Sequence, residues 1–140
     1  MNKKIKIGTK KVILIVEDNS LLAGMYQEIF RSRGYEVDIG FDGEEAIGKL
    51  EALSQKPAII LLDILLPRRD GFEVLRYIKE NDNLKNIPVI ILTNLKKVGD
   101  AEKALELGAV LYLIKTDYTP KQIVGKVEEV IEAYSPSSRR

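Results

Sequence analysis

The chain has 140 residues, 45% of them hydrophobic and 31% charged, which is the length and make-up of one domain with a core of its own and little room for a second. It contains no cysteine and no histidine, which excludes disulfide scaffolds, zinc–thiolate sites, cysteine nucleophiles, Ser-His-Asp catalysis, histidine metal ligands and any phosphohistidine of its own. The net charge is +1, but Lys3, Lys4, Lys6, Lys10 and Lys11 at one end and Arg139 and Arg140 at the other leave −6 for residues 12–138, an acidic body that argues against a nucleic-acid partner.

In chain order, residues 1–10 read as a basic, solvated N-terminal extension. The first apolar run, Val12 to Val16, is too short for a secretory core, and no stretch reaches the ~20 apolar residues of a membrane span, so a cytoplasmic protein without a membrane partner is expected. The same run reads as a strand. A helix follows Ser20, with Leu21, Leu22, Met25, Ile29 and Phe30 expected on its buried face and Gly34 as its stop. Tyr35 to Ile39 is a weaker strand. Asp42 and Glu45 have capping-box spacing ahead of a helix carrying Ala46, Ile47, Leu50 and Leu53. Ala58 to Leu62 is the third strand, and Asp70 with Glu73 opens a helix carrying Phe72, Leu75 and Ile78. Val89 to Leu92 is the fourth strand, followed by a helix from about Asp100 to Leu107 that stops at Gly108. Val110 to Ile114 is the fifth. Thr119-Pro120-Lys121-Gln122 supplies a cap, a proline at the first helical position and a Gln three residues after the cap, before Ile123, Val127, Val130 and Ile131. The folded body is expected over 11–133, with a flexible tail over 134–140.

Short continuous β-branched runs are strands covered on both faces, which suits a parallel sheet with helices on either side. Such sheets bind ligands at the carboxyl ends of their strands. The residues there are Glu17 and Asp18 after the first strand, Asp63 after the third, Thr93 after the fourth and Lys115 after the fifth. Singly, each is an ordinary strand-end residue: Asp18 could cap a helix, Thr93 could sit in a turn, and Lys115 could be a solvated charge. Together, three clustered carboxylates repel unless a cation sits among them. A hard divalent ion such as Mg²⁺ meets that need, a lysine holds an anion and a threonine donates a hydrogen bond. These are the parts that position a phosphoryl group, and an aspartate can also accept one.

Glu17-Asp18-Asn19, Leu62-Asp63-Ile64-Leu65-Leu66-Pro67, Asp70-Gly71, Pro88 to Thr93, and Leu107-Gly108-Ala109 leading to Tyr112-Leu113-Ile114-Lys115 occur in one order and at one spacing. In these stretches, over roughly 11–133, the chain resembles a two-component response-regulator receiver domain of the chemotaxis-regulator type. The resemblance implies a flavodoxin-like (βα)5 fold with a single doubly wound five-stranded parallel sheet in the order 2-1-3-4-5. It implies Asp63 as phosphoacceptor, and Glu17, Asp18, Asp63 and the Leu65 backbone carbonyl as Mg²⁺ ligands. Lys115 and Thr93 would bind the phosphoryl group, and Thr93 with Tyr112 would form the switch. Leu65, Asn94 and Leu95 would flank the path of the hydrolytic water.

The sequence departs from the family pattern in three places. Thr116 follows Lys115 where proline is usual, so the Lys115–Thr116 peptide is expected to be trans. Asn94 follows Thr93 where a smaller residue is common, and Arg69 stands where an apolar residue is usual. The implied function is a stand-alone phosphoacceptor, not an enzyme beyond assisting its own phosphorylation and dephosphorylation. Its donor would be a histidine kinase or phosphotransfer protein, and its output partner a protein meeting the fourth helix, fifth strand and fifth helix. Two alternatives are a magnesium-dependent aspartyl-phosphate phosphohydrolase and a phosphorylation-independent interaction module. The first usually places an acid two residues after its nucleophile, where this chain has Leu65.

Overall fold

The computed structural model describes residues 10–135. Residues 1–9 of the basic extension and 136–140 of the tail lie outside the described residues. Strands and helices alternate as β1 (Val12–Val16), α1 (Ser20–Ser32), β2 (Glu36–Gly40), α2 (Gly43–Ala52), β3 (Ile59–Leu62), α3 (Gly71–Glu80), β4 (Val89–Thr93), α4 (Val98–Glu106), β5 (Leu111–Ile114) and α5 (Pro120–Ala133). The five strands form one sheet in the order β2-β1-β3-β4-β5, every neighbouring pair parallel. This is the expected architecture.

Strand alternation sorts the core into two layers. Leu14, Val16, Ile60, Leu62, Val89 and Ile91 face α2, α3 and α4. Ile13, Ile15, Ile59, Leu61, Ile90, Leu92 and Leu113 face α1 and α5. Burial on both faces explains why β1, β3 and β4 are unbroken apolar runs, while β2 and β5 at the two edges are only partly covered.

The caps act largely as their spacing predicts. Thr119 and Gln122 complete a reciprocal capping box on α5. Asp42 and Asp70 accept from the backbone N–H of Glu45 and Glu73. The Asp42–Glu45 box differs in one respect: the Glu45 carboxylate accepts from Phe41, one residue before the cap. α4 begins earlier than expected, at Val98, and Lys97 gives it no side-chain cap.

The expected buried face of α1 needs correction. Leu21 is 77% exposed and Met25 43%, whereas Ala23, Tyr26 and Phe30 are buried. The apolar residues of α1 span a wider arc than the sheet can cover. The stripe that packs runs through Ala23, whose small side chain permits close approach, then Tyr26 and Phe30 at spacings of three and four.

Candidate functional site

The parallel strands bring Glu17, Asp63, Thr93 and Lys115 to one edge of the sheet. Glu17 is 2% exposed, Asp63 4% and Thr93 0%, and these three are the buried polar or charged residues among those described. The backbone fixes the two acids. Glu17 N–H donates to Gly40 O on β2, and Asp63 N–H donates to Val16 O on β1, extending the ladder past the strand ends.

Lys115 Nζ lies 2.6 Å from Glu17 Oε1 and 2.6 Å from Asp63 Oδ2. The second oxygen of each acid accepts a backbone N–H, Glu17 Oε2 from Asn19 at 3.0 Å and Asp63 Oδ1 from Leu65 at 3.0 Å. Both carboxylates are therefore held at both oxygens, as burial of a charge requires. Burial raises the Glu17 pKa above the ordinary carboxylate value, and the Lys115 and Asn19 hydrogen bonds only partly offset it. Burial also opposes the Lys115 ammonium, but its hydrogen bonds to Asp63 and Glu17 prevail and hold its pKa above the usual lysine value.

Asp18 is exposed beside this pair. Oxygen atoms of Glu17, Asp18 and Asp63 all lie within 4.8 Å of one another, close enough to hold one metal ion. An all-oxygen, carboxylate-rich donor set fits a hard divalent cation.

Thr93 ends β4, and Tyr112 on the neighbouring β5 packs against the layer covered by α2, α3 and α4. Leu95 connects them: its N–H donates to Thr93 Oγ1 at 3.3 Å, and its carbonyl accepts from the Tyr112 hydroxyl at 2.6 Å. Burial pushes the Tyr112 pKa up, with the Asp100 and Asp63 carboxylates adding to it, so the hydroxyl stays a donor. Leu65 is 51% exposed, Asn94 is exposed and Leu95 is partly buried.

The loop from Asp63 to Gly71 is shaped by close packing. A Cβ on Gly71 would lie 2.3 Å from the Asp63 carbonyl oxygen and 2.5 Å from Ile64 Cα, so no other residue fits behind the acid. A Cβ on Gly43, at the start of α2, would lie 2.1 Å from the Arg69 carbonyl oxygen. Arg68 adopts φ 71, and its Nε lies 3.4 Å from Asp42 Oδ2, while Arg69 Nε lies 3.6 Å from Glu44 Oε2. Arg68 and Arg69, the second of which departs from the family pattern, thus tie this loop to the start of α2. Thr116 lies in a 3₁₀ turn over Lys115–Asp117, and the described residues contain no cis peptide, so the Lys115–Thr116 bond is trans as expected.

Sequence reasoning missed two contributors. Gly40 supplies the carbonyl beneath Glu17, for which a sequence carries no signal. Tyr26 is buried on α1 below the acids, and its spacing from Phe30 was the available clue.

The response regulator receiver domain family matches residues 13–128 of the chain. The polar-differentiation response regulator DivK of Brucella anthropi is 35% identical over 124 residues, covering 89% of this chain and 95% of DivK. The Mn(2+)-bound form of response regulator Rcp1 superimposes with a TM-score of 0.74 at 36% identity, covering 88% of this chain and 92% of Rcp1. The phosphorylated cyanobacterial phytochrome response regulator RcpA superimposes with a TM-score of 0.78 at 32% identity, covering 92% of this chain and 96% of RcpA.

Proposed function

The chain belongs to the response regulator receiver domain family, and from that premise we propose that Asp63 accepts a phosphoryl group from a histidine kinase or phosphotransfer protein, with the receiver unit spanning 11–133. The observation that carries this reading is the carboxylate cluster at one strand edge, with the Lys115 ammonium 2.6 Å from two of its members. A carboxylate oxygen of Asp63 attacks phosphorus in line, the P–O bond forms, and the P–N bond to the donor histidine breaks. The leaving imidazole takes the electron pair and a proton. Lys115 then holds a phosphoryl oxygen by charge, and the Thr93 hydroxyl donates to another.

Glu17, Asp18 and Asp63, with the Leu65 carbonyl, are the residues that would hold Mg²⁺. When bound, the ion supplies positive charge that offsets the carboxylates and the phosphoryl oxygens. The reading is supported by the all-oxygen donor set and by the Mn(2+)-bound state of Rcp1. Thr93 and Tyr112 form the switch, since both grip Leu95 and so couple the site to the loop before α4. The output surface lies on α4, β5 and α5, where Val98 and Leu105 are exposed. Among the described residues no helix is long and apolar enough to cross a membrane.

The test is exposure of the protein to acetyl phosphate and Mg²⁺, read on a phosphate-affinity gel. The wild type shifts and Asp63→Asn does not, with its circular dichroism unchanged. Undiminished phosphate on another residue of Asp63→Asn would reject the assignment.

A further inference from the structure

Tyr26 is 2% exposed, and among the described residues its hydroxyl has no hydrogen-bond partner within the protein. Buried hydroxyls without partners are costly and uncommon, so this one needs an explanation. Its placement supplies one. Tyr26 packs in the α1–α5 layer with Ile15, Leu61 and Leu113. Each of these stands two residues before a member of the charged cluster: Glu17, Asp63 and Lys115. Residues two apart on a strand share a face, so the cluster continues the layer that contains Tyr26. The N-terminus of α1 lies at the same sheet edge as the cluster, and helix side chains lean toward the helix N-terminus. The Tyr26 ring therefore lies below the acids, with its hydroxyl toward them.

Lys115 completes the argument. An ammonium carries three donors, and Glu17 Oε1 and Asp63 Oδ2 take two of them. One proton is left, and the unpartnered hydroxyl oxygen lies on the side of the sheet where it is needed. The electrostatics agree: burial pushes the Tyr26 pKa up to about 12, and Lys115 is the one neighbour that draws it down.

We infer that Tyr26 is a positioning residue for Lys115, its hydroxyl accepting a hydrogen bond from a single water that takes the third ammonium proton. The consequence for phosphoryl transfer rests on the proposed role of Lys115 as the phosphoryl clamp. With two acidic partners alone, the ammonium would lose part of its hold when Asp63 becomes an acyl phosphate. Tyr26 is neutral and sits below the reacting atoms, so it keeps its grip through the reaction.

Tyr26→Phe tests this, because it removes one oxygen and keeps the ring. A hydroxyl that truly lacks a partner makes the phenylalanine variant more stable. A hydroxyl bonded to Lys115 through that water makes it less stable. The expected results are a lower melting temperature, a displaced Lys115 ¹³Cε–¹⁵Nζ resonance assigned against Lys115→Gln, and about threefold slower phosphorylation by acetyl phosphate with Mg²⁺. A raised melting temperature or an unmoved Lys115 resonance overturns the inference. Both are read on unphosphorylated protein, so they stand even if acetyl phosphate labels neither protein, a result that would instead reject the proposed function.

Discussion

Glu17, Asp63 and Lys115 place two anions and one cation in a nearly buried space, and removing the cation leaves the anions facing each other. Lys115→Met should cost about 3–5 kcal/mol in metal-free buffer, as loss of one partner from a buried charge pair does. Part of that loss should return on adding Mg²⁺, which supplies positive charge to the same carboxylates; urea unfolding with EDTA and with Mg²⁺ measures both. A second expectation concerns Leu65 and Leu95, whose side chains cannot orient a water. The phosphorylated protein should therefore be long-lived for its family, and Leu65→Asn or Leu95→Glu should speed phosphate loss about tenfold, a change of ~1.4 kcal/mol in barrier. The exposed amide of Asn94 is the competing water-binding group, and equal decay in all three proteins would show that the two leucines do not set the lifetime.

The helices differ in how firmly they are fixed. α3 buries Phe72, Val74, Leu75 and Ile78, and its last turn is anchored by Lys79, which donates to the carbonyls of Lys85 and Ile87 at 3.0 and 3.1 Å. α4 buries only Ala104 within its length and has no side-chain cap, and Lys103 lies 4.1 Å above the Phe72 ring of α3. An element with so little burial is less firmly fixed than α3. Lys79 makes a pH prediction at the opposite end of the sheet. Burial lowers its pKa below the ordinary 10.5. Between the lowered native value and 10.5 the unfolded chain binds more protons, so stability rises with pH across that window, and the penalty is fully present below it. Because the raised pKa values of Tyr26, Tyr35, Tyr77, Tyr112 and Lys115 act in the opposite direction as the pH nears 10, the readout is a difference: between pH 8 and 10.5 denaturation midpoints should rise more, or fall less, in the wild type than in Lys79→Met.

At the scale of the whole molecule, the sheet separates two apolar layers. Tyr26 packs in the α1–α5 layer and Tyr112 in the layer covered by α2, α3 and α4, and Asp63 at the strand ends lies close enough to both to raise their pKa. Leu95, before α4, is where the Thr93 and Tyr112 hydrogen bonds meet. Metal binding should be felt by the entire fold. A ligand specific for the native state at a hundredfold excess over its Kd adds about 2.7 kcal/mol of stability. Asp18→Ala should remove most of the Mg²⁺-dependent rise in melting temperature. It should also raise the metal-free melting temperature, because one of three crowded carboxylates is gone. A Mg²⁺ response of unchanged size in Asp18→Ala would place the ion elsewhere.

The alternation of strands and helices, the strand-end positions of Glu17, Asp63, Thr93 and Lys115, and the Thr119–Gln122 cap were all legible in the sequence. Each depends on residues close together in the chain, where run length, periodicity and cap chemistry act locally. What the tertiary structure decided depends on contacts between distant segments. The apolar arc of α1 is wider than the sheet can bury, so only packing selects Tyr26 over Leu21 and Met25. Lys115 reads as a solvated charge until folding brings it to Asp63, 52 residues away in the chain, and to Glu17. The left-handed backbone of Arg68 and the missing Cβ of Gly71 answer to the fit of one loop against Asp63 and α2, which no local pattern encodes.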